Sequence, residues 1–242
     1  MMFNGSDLTA ILRVTSVGGR GALTQNIIRT SVPGREGSFR QRREIPEKVL
    51  PVSFVVVEAA KADLRNSVDA LNLIFNVDSD VPIVFPDEPT VTYYGSLDGQ
   101  PDWEEILAIG KGTINILCCD PFKYGAEVSV NFSGDQANPS VSGNHKTYPR
   151  VEATFTASAT EFKVLHTPTN KYVRVIRNFV AGDILVIDFA TGKITLNGLV
   201  AMPILDWVNS EFFQLGTGTQ NVKVTPTSKA TTKIFWRPRW RI

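Results

Sequence analysis

The chain has 242 residues, 43% hydrophobic and 20% charged, with a formal net charge of +1. That balance suits a folded chain with a real core, and excludes a disordered polymer or a polycation drawn in bulk to nucleic acid or anionic membrane. No run approaches the ~18 apolar residues that a membrane span requires, and the opening MMFNGSDLTAILRV lacks a basic region followed by an apolar one. No signal peptide, no membrane insertion and synthesis in a cytoplasm are therefore expected.

Residues 7–14 (DLTAILRV) read as a first strand ended by Val17-Gly18-Gly19, and a second short strand is expected at 25–32. An extended arm follows at about 33–48, with Pro33-Gly34 and Glu36-Gly37 as turn signals. Around it cluster Arg29, Arg35, Arg40, Arg42, Arg43 and Lys48, with little apolar material to anchor them. VLPVSFVVVE (49–58) reads as a strand buried on both faces, and Pro51 places its start at an edge or bulge. AKADLRNSVDALNLIF is an amphipathic helix, because Leu64, Val68, Leu71, Ile74 and Phe75 fall on one face. Asp63 sits early in it, where the helix dipole favours negative charge.

VPIVFPDEP, TVTYYGSL and ILAIGKGTINILCCDPF continue as strands, with Asp98-Gly99 as a turn and Trp103 in a short polar connection. VSVNFS (128–133) reads as the last strand of a first domain, 1–133. GDQANPSVSGNHKT has one apolar residue larger than alanine, Val141, and reads as a linker over 134–147. From 148 to 242, short strand-like runs alternate with turn pairs, DILVIDFATGKITL among them as a hairpin; the pattern predicts a β-sandwich. The fold class expected is mainly β, a β-rich first domain with one main helix followed by a sandwich.

Few residues offer chemistry. Cys118 and Cys119 are adjacent, so on a strand they diverge, and two free thiols with at least one buried are expected. His145 and His166 have no Cys, Asp or Glu at a metal-ligand spacing and read as solvated loop histidines. Gly34–Gly37 and Gly216–Gly218 lack the context of a phosphate cradle. The acidic pairs Asp78/Asp80, Asp87/Glu88 and Glu104/Glu105 read as solvated turns. In KIFWRPRWRI, Ile234, Trp236, Pro238 and Trp240 share one face, and Phe235, Arg237, Arg239 and Arg241 the other. Trp236 and Trp240 are candidates for contact with a sugar or a partner, against the simpler reading that they cap the core. No cofactor, no metal site and no catalytic residue are expected.

Charge is segregated along the chain. Residues 1–57 hold 8 basic and 4 acidic residues, residues 58–120 hold 3 and 12, and residues 121–242 hold 14 and 8. Oppositely charged segments suit heterologous contacts between copies. The arm residues Arg35, Arg40, Arg42 and Arg43 are therefore expected against acidic positions of an adjacent copy, with Asp78, Asp80, Asp87 and Glu88 as candidates.

Across nearly the whole chain the sequence resembles the distal tail (siphophage tail component) proteins of long-tailed, non-contractile phages. The resemblance rests on VPGREG followed by the arm and VLPVSFVVV, then the helix, PIVFPDEP, YYGSL and ILCCDPFKYG. TYPRVEATF, AGDILVIDFATGKITLNG, SEFFQLGTG with NVKV, and the terminal RPRW carry it through the second half. It implies a structural, non-enzymatic protein of the virion tail tip. Its first domain forms a homohexameric ring with an arm laid over the neighbour, and its second is a galectin-like β-sandwich. The implied partners are the tail-tube protein, the tail-associated hub protein and receptor-binding or other baseplate proteins. Phage DNA passes through without specific binding, and the acidic middle segment is expected to line much of that lumen, since basic surfaces hold phosphate. The alternatives are a carbohydrate-binding sandwich module using the tryptophans and a glycan hydrolase using an acidic pair.

Overall fold

The computed structural model describes residues 1–21, 25–106 and 108–242. The chain divides into two units, Met1–Tyr124 with Arg241–Ile242, and Gly125–Trp240.

In the first unit the strands are β1 (Met2–Phe3), β2 (Ser6–Asp7), β3 (Arg13–Val17), β4 (Asn26–Thr30), β5 (Phe39–Glu44) and β6 (Lys48–Val57). Helix α1 (Lys61–Phe75) follows, then β7 (Val81–Val84), β8 (Tyr93–Ile106), β9 (Ile109–Cys118) and β10 (Phe122–Tyr124). Seven of these form one sheet in the order β2-β1-β7-β8-β9-β6-β3, while β4 and β5 pair only with each other. The expected first strand is interrupted. The Asp7 carboxylate accepts from the Thr9 N–H at 3.0 Å and caps a 3₁₀ turn at Leu8–Ala10. A short side chain thus competes with the sheet for backbone donors.

β6 is buried on one face, not two. Leu50, Val52, Phe54 and Val56 are inside, while Val49 and Val57 are exposed. An antiparallel sheet covered by one helix needs only alternate positions. Pro51 stands where the β3 pairing ends at Val17↔Val52, and its carbonyl still accepts from the Gly18 N–H at 2.8 Å. Helix α1 lays Leu64 and Leu71 onto the sheet, with Ile74 and Phe75 partly buried beside them.

The Asp98-Gly99 signal marks an irregularity inside β8 rather than its end. The register with β9 shifts between Asp98 and Asp102, and β8 runs on to Ile106. Trp103 is therefore a strand residue paired with Gly112. A Cβ on Gly110 would come within 2.4 Å of the indole and one on Gly112 within 3.1 Å, so the GKG of β9 makes room for this ring. Phe54 packs against the indole, with ring centroids 5.6 Å apart.

The second unit begins with β11 (Val128–Asn131), β12 (Gln136–Ala137), β13 (Ser140–Val141), β14 (Pro149–Phe155), β15 (Ala159–His166), β16 (Lys171–Phe179) and β17 (Ile184–Asp188). It continues through β18 (Lys193–Leu196), β19 (Leu199–Val200), β20 (Gly218–Thr219), β21 (Val222–Thr225) and β22 (Ala230–Trp236); β23 spans Arg239–Arg241. One sheet has the order β11-β22-β14-β17-β18-β19, another β12-β21-β15-β16. Buried residues of both fuse into one cluster, including Val151, Phe162, Val175, Ile187 and Ile234, so this unit is a β-sandwich. Phe155 and Phe179 stack with centroids 4.1 Å apart, and Phe162 meets Phe155 edge-on. Each such pair adds ~0.5–1.5 kcal/mol beyond burial. The hairpin of β17 and β18 is the one the sequence predicts.

The expected boundary is corrected in two ways. β11 pairs with β22, so the second unit starts at Gly125 rather than after residue 133. Residues 134–147 are not a linker: β12 pairs with β21, β13 with β20, and Ala137 and Val141 join the sandwich core. Strands of two residues are too short to leave a periodic signature.

Candidate assembly surfaces

The β4–β5 ribbon has no apolar face to bury. Ile27 pairs with Arg43, Ile28 with Arg42, Arg29 with Arg40 and Thr30 with Phe39. Arg35, Arg40, Arg42 and Arg43 are all exposed. Arg42 pairs with Glu44 at 2.7 Å, and the Arg35 guanidinium lies 3.9 Å from the Phe39 ring centroid. Arg29 opposite Arg40 places like charges across the ladder, which weakens the ribbon. Ile27, Val32 and Phe39 are 42%, 45% and 47% exposed, and none joins the core of the unit. A two-stranded ribbon alone is marginal in water. This one offers cations, three apolar side chains and unpaired strand edges to another surface.

The four acidic candidates separate into two groups. Asp87 takes both arms of the Arg20 guanidinium, Nη2–Oδ2 at 2.6 Å and Nη1–Oδ1 at 3.1 Å. That hydrogen-bonded partner holds the Asp87 carboxyl below its ordinary range and raises the Arg20 value. Glu88 accepts from Lys123 and from the Tyr93 hydroxyl. Burial pushes the Glu88 value up, but those donors outweigh it and the net shift is downward. Burial, then Glu88, raises the Tyr93 phenol. The Arg20 guanidinium also lies 5.1 Å from the Phe85 ring centroid. Arg20 can reach this cluster because Gly19, at φ +77°, lets the chain turn tightly against β6: a Cβ there would meet the Val49 carbonyl at 2.4 Å. Asp87 and Glu88 are thus engaged within their own unit.

Asp78 and Asp80 are exposed in the turn between α1 and β7. Asp80 accepts from Ser96 Oγ at 3.0 Å, and neither carboxylate makes an ion pair among the described residues. Between α1 and β8 lies a cavity of about 240 Å³, lined chiefly by Val68, Leu71, Phe75, Leu97, Pro101 and Trp103. The sequence hides it, because its walls come from elements some 30 residues apart.

The tryptophan candidates are corrected in part. Trp236 is 3% exposed and belongs to the sandwich core, so its ring cannot stack on a sugar. Its indole N–H finds no acceptor among the described residues. Trp240 is half-buried and packs against Gly125. β22 stops at Trp236 and β23 resumes at Arg239, as the proline between them requires. Arg239 and Arg241 are buried. His166 is also buried, not in open solvent: Nδ1 meets Thr169 Oγ1 at 2.8 Å, Nε2 meets Gln220 Oε1 at 3.0 Å, and the ring stacks on Phe213. Cys118 is buried and Cys119 exposed, both free. No group of three or more His, Cys, Asp or Glu side chains able to hold a metal occurs among the described residues.

Two families match the chain. The phage tail protein RIFT-related domain covers residues 7–118, and the siphovirus-type tail component C-terminal domain covers 142–240. The distal tail protein of Bacillus phage SPP1 is 33% identical over 216 residues, 86% of this chain and 85% of that one. The chain belongs to the siphovirus distal tail protein family. As a distal tail protein it is a structural component of a phage tail tip, and its relatives are structural tail proteins rather than enzymes. The crystal structure of the SPP1 distal tail protein superposes with a TM-score of 0.89 at 27% identity, over 98% of this chain and 97% of that one. That protein is described as a paradigm of the hub adsorption apparatus in phages infecting Gram-positive bacteria. A chain of the phage P2 baseplate in its activated conformation shares the fold at a TM-score of 0.51 and 9% identity, over 95% and 91% of the two chains.

Proposed function

We propose that six copies close into a ring at the virion tail tip, joining the tail tube to the tail-associated hub and the receptor-binding apparatus without a catalytic step. Assembly follows synthesis in the host cytoplasm. The observation that carries the reading is the β4–β5 ribbon, which leaves Ile27, Val32 and Phe39 in solvent beside four arginines. Such a surface is stabilised only by something outside its own fold, and a ring supplies it through heterologous contact. Family membership and the likeness to an SPP1 hub protein support the same reading. The second unit is the galectin-like sandwich, facing other baseplate proteins. DNA passes through the lumen unheld, and acidic side chains of residues 58–120 line much of it.

Mass measurement in solution tests the ring. Six chains of 26.7 kDa give a particle of about 160 kDa. Reversing Arg42 and Arg43 to Glu is expected to shift that particle toward single chains and make it sensitive to salt. A wild-type monomer at every concentration, or reversed variants as robust in salt as wild type, would overturn the reading.

A further inference from the structure

We propose that a cavity in the second unit, between the segment before β14, the β15–β16 turn and residues 212–216, is a binding site for an acidic saccharide. The proposal goes beyond the assembly reading and stands whether or not the ring forms. Three features carry it.

The first is how the chain builds the cavity. Thr147 and Leu215 exchange both backbone hydrogen bonds, at 2.9 and 2.8 Å. Their own side chains are buried. Neighbours in paired extended segments face the other way, and Lys146, Tyr148, Gln214 and Gly216 all line the cavity. Thr169 and Lys171, at the β15–β16 turn, contribute another side. The volume of about 500 Å³ is that of a small-ligand site.

The second is the chemistry of the lining. No Leu, Ile, Val or Met lines this cavity, unlike the one between α1 and β8. Its apolar surface comes from rings, those of Tyr148, Phe212, Phe213 and Pro168. Beside them stand the amides of Gln214 and Gln220 and the hydroxyl of Thr169, which can both donate and accept. Flat rings next to such groups match a pyranose, which has an apolar C–H face and a rim of hydroxyls. Tyr148 is 41% exposed, so its ring is open to stacking. No carboxylate lines the cavity, whereas Lys146 and Lys171 both do. Lys171 pairs with Glu211, and Lys146 makes no ion pair among the described residues. That charge favours an anionic sugar over a neutral one. A nucleic acid strand needs a basic groove several nucleotides long, which two lysines in one cavity do not supply.

The third is preorganisation. The His166 ring is fixed through both nitrogens, to Thr169 and Gln220, and stacks on Phe213 with centroids 5.0 Å apart. Gln220 Nε2 in turn donates to the Thr217 carbonyl at 3.2 Å. Phe212 meets Phe189 edge-on. The floor is set before a ligand arrives, which lowers the entropy lost on binding.

Saturation-transfer NMR on the full chain at pH 7 tests the site, with trigalacturonate as the acidic probe and maltotriose as the neutral one. Trigalacturonate should receive the stronger transfer, and added salt should weaken it. Tyr148→Ala should raise its Kd about tenfold, and Tyr148→Phe should restore most of the loss. Lys146→Ala should abolish the preference for the acidic probe, while Lys229→Ala, which removes a cation outside the cavity, should leave it unchanged. Thermal unfolding like that of wild type would show that the variants keep their fold. Absence of transfer to either probe, or transfer indifferent to Tyr148→Ala, would overturn the site. Equal transfer to both probes would overturn the acidic class. Inorganic phosphate that competes as well as trigalacturonate competes with itself would reduce the site to one for simple anions, and tighter binding of an oligothymidylate would make it a nucleic acid site; either overturns the proposal.

Discussion

Arg20 and Asp87, 67 residues apart, form a two-pronged ion pair that ties the segment before the arm to the loop before β8. Arg20 is mostly covered and Asp87 is mostly exposed, so solvent screens the pair. Arg20→Ala is expected to cost the first unit about 1 kcal/mol, and a double-mutant cycle with Asp87→Ala to return a coupling of about 0.5–1 kcal/mol. Because the folded carboxyl value is depressed, this stability is present above the ordinary Asp value of 3.8 and is lost as pH falls through the lower folded value. Urea titrations at pH 7 and pH 3 would measure both; a coupling unchanged at pH 3 would contradict the pairing.

Trp236 is a core residue, so its substitution should act on folding. Trp236→Ala is expected to cost about 3–5 kcal/mol. Trp236→Phe should cost less than half of that, because it fills most of the volume and removes an indole N–H that has no acceptor among the described residues. Denaturant unfolding of the two variants tests the order.

His166 makes the second unit sensitive to mild acid. Burial lowers its value below the ordinary 6.5, with the Gln220 hydrogen bond opposing. The unfolded chain then binds a proton near pH 6.5 while the folded chain still resists, so stability is full above that pH and falls below it. Each unit of depression is worth ~1.4 kcal/mol at the most. His166→Gln should start from a lower baseline but show a flatter stability profile between pH 7 and pH 5. A wild-type profile that is flat over this interval would refute the assignment.

The two adjacent thiols should behave differently. Burial pushes the Cys118 thiol up to about 12, with the Asp80 charge adding to it. Cys119 is exposed, though the Asp80 charge raises its value as well. One thiol per chain is expected to react with a disulfide reagent in the folded protein, more slowly than a free cysteine, and two after unfolding. Mass spectrometry of the labelled chain would identify the first as Cys119.

Much of this was legible in the sequence where a pattern runs for several residues. The spacing of Leu64 and Leu71 predicts α1, and the two runs flanking Thr191–Lys193 predict the β17–β18 hairpin. Where a residue's role is set by a distant partner, sequence fails. Trp103 reads as a loop residue because the glycines that accommodate it, Gly110 and Gly112, lie on the next strand. Asp87 and Glu88 look as available as Asp78 and Asp80, since nothing local reveals Arg20 or Lys123. Residues 134–147 read as a linker because Ala137 and Val141 are single buried side chains in a polar stretch. His166 reads as solvated because its acceptor, Gln220, is 54 residues away.

β11 occupies the outer flank of β22, with Val128 opposite Trp236 and Asn131 opposite Lys233. A fragment begun at Tyr148, where the sandwich pattern first becomes visible, would lack that strand. The amides and carbonyls along Lys233–Trp236 would then form a bare sheet edge, open to pairing with the same edge of another fragment. Such a truncated sandwich would tend to self-associate through a seam that the intact chain covers with its own residues, and its oligomers would say nothing about the virion.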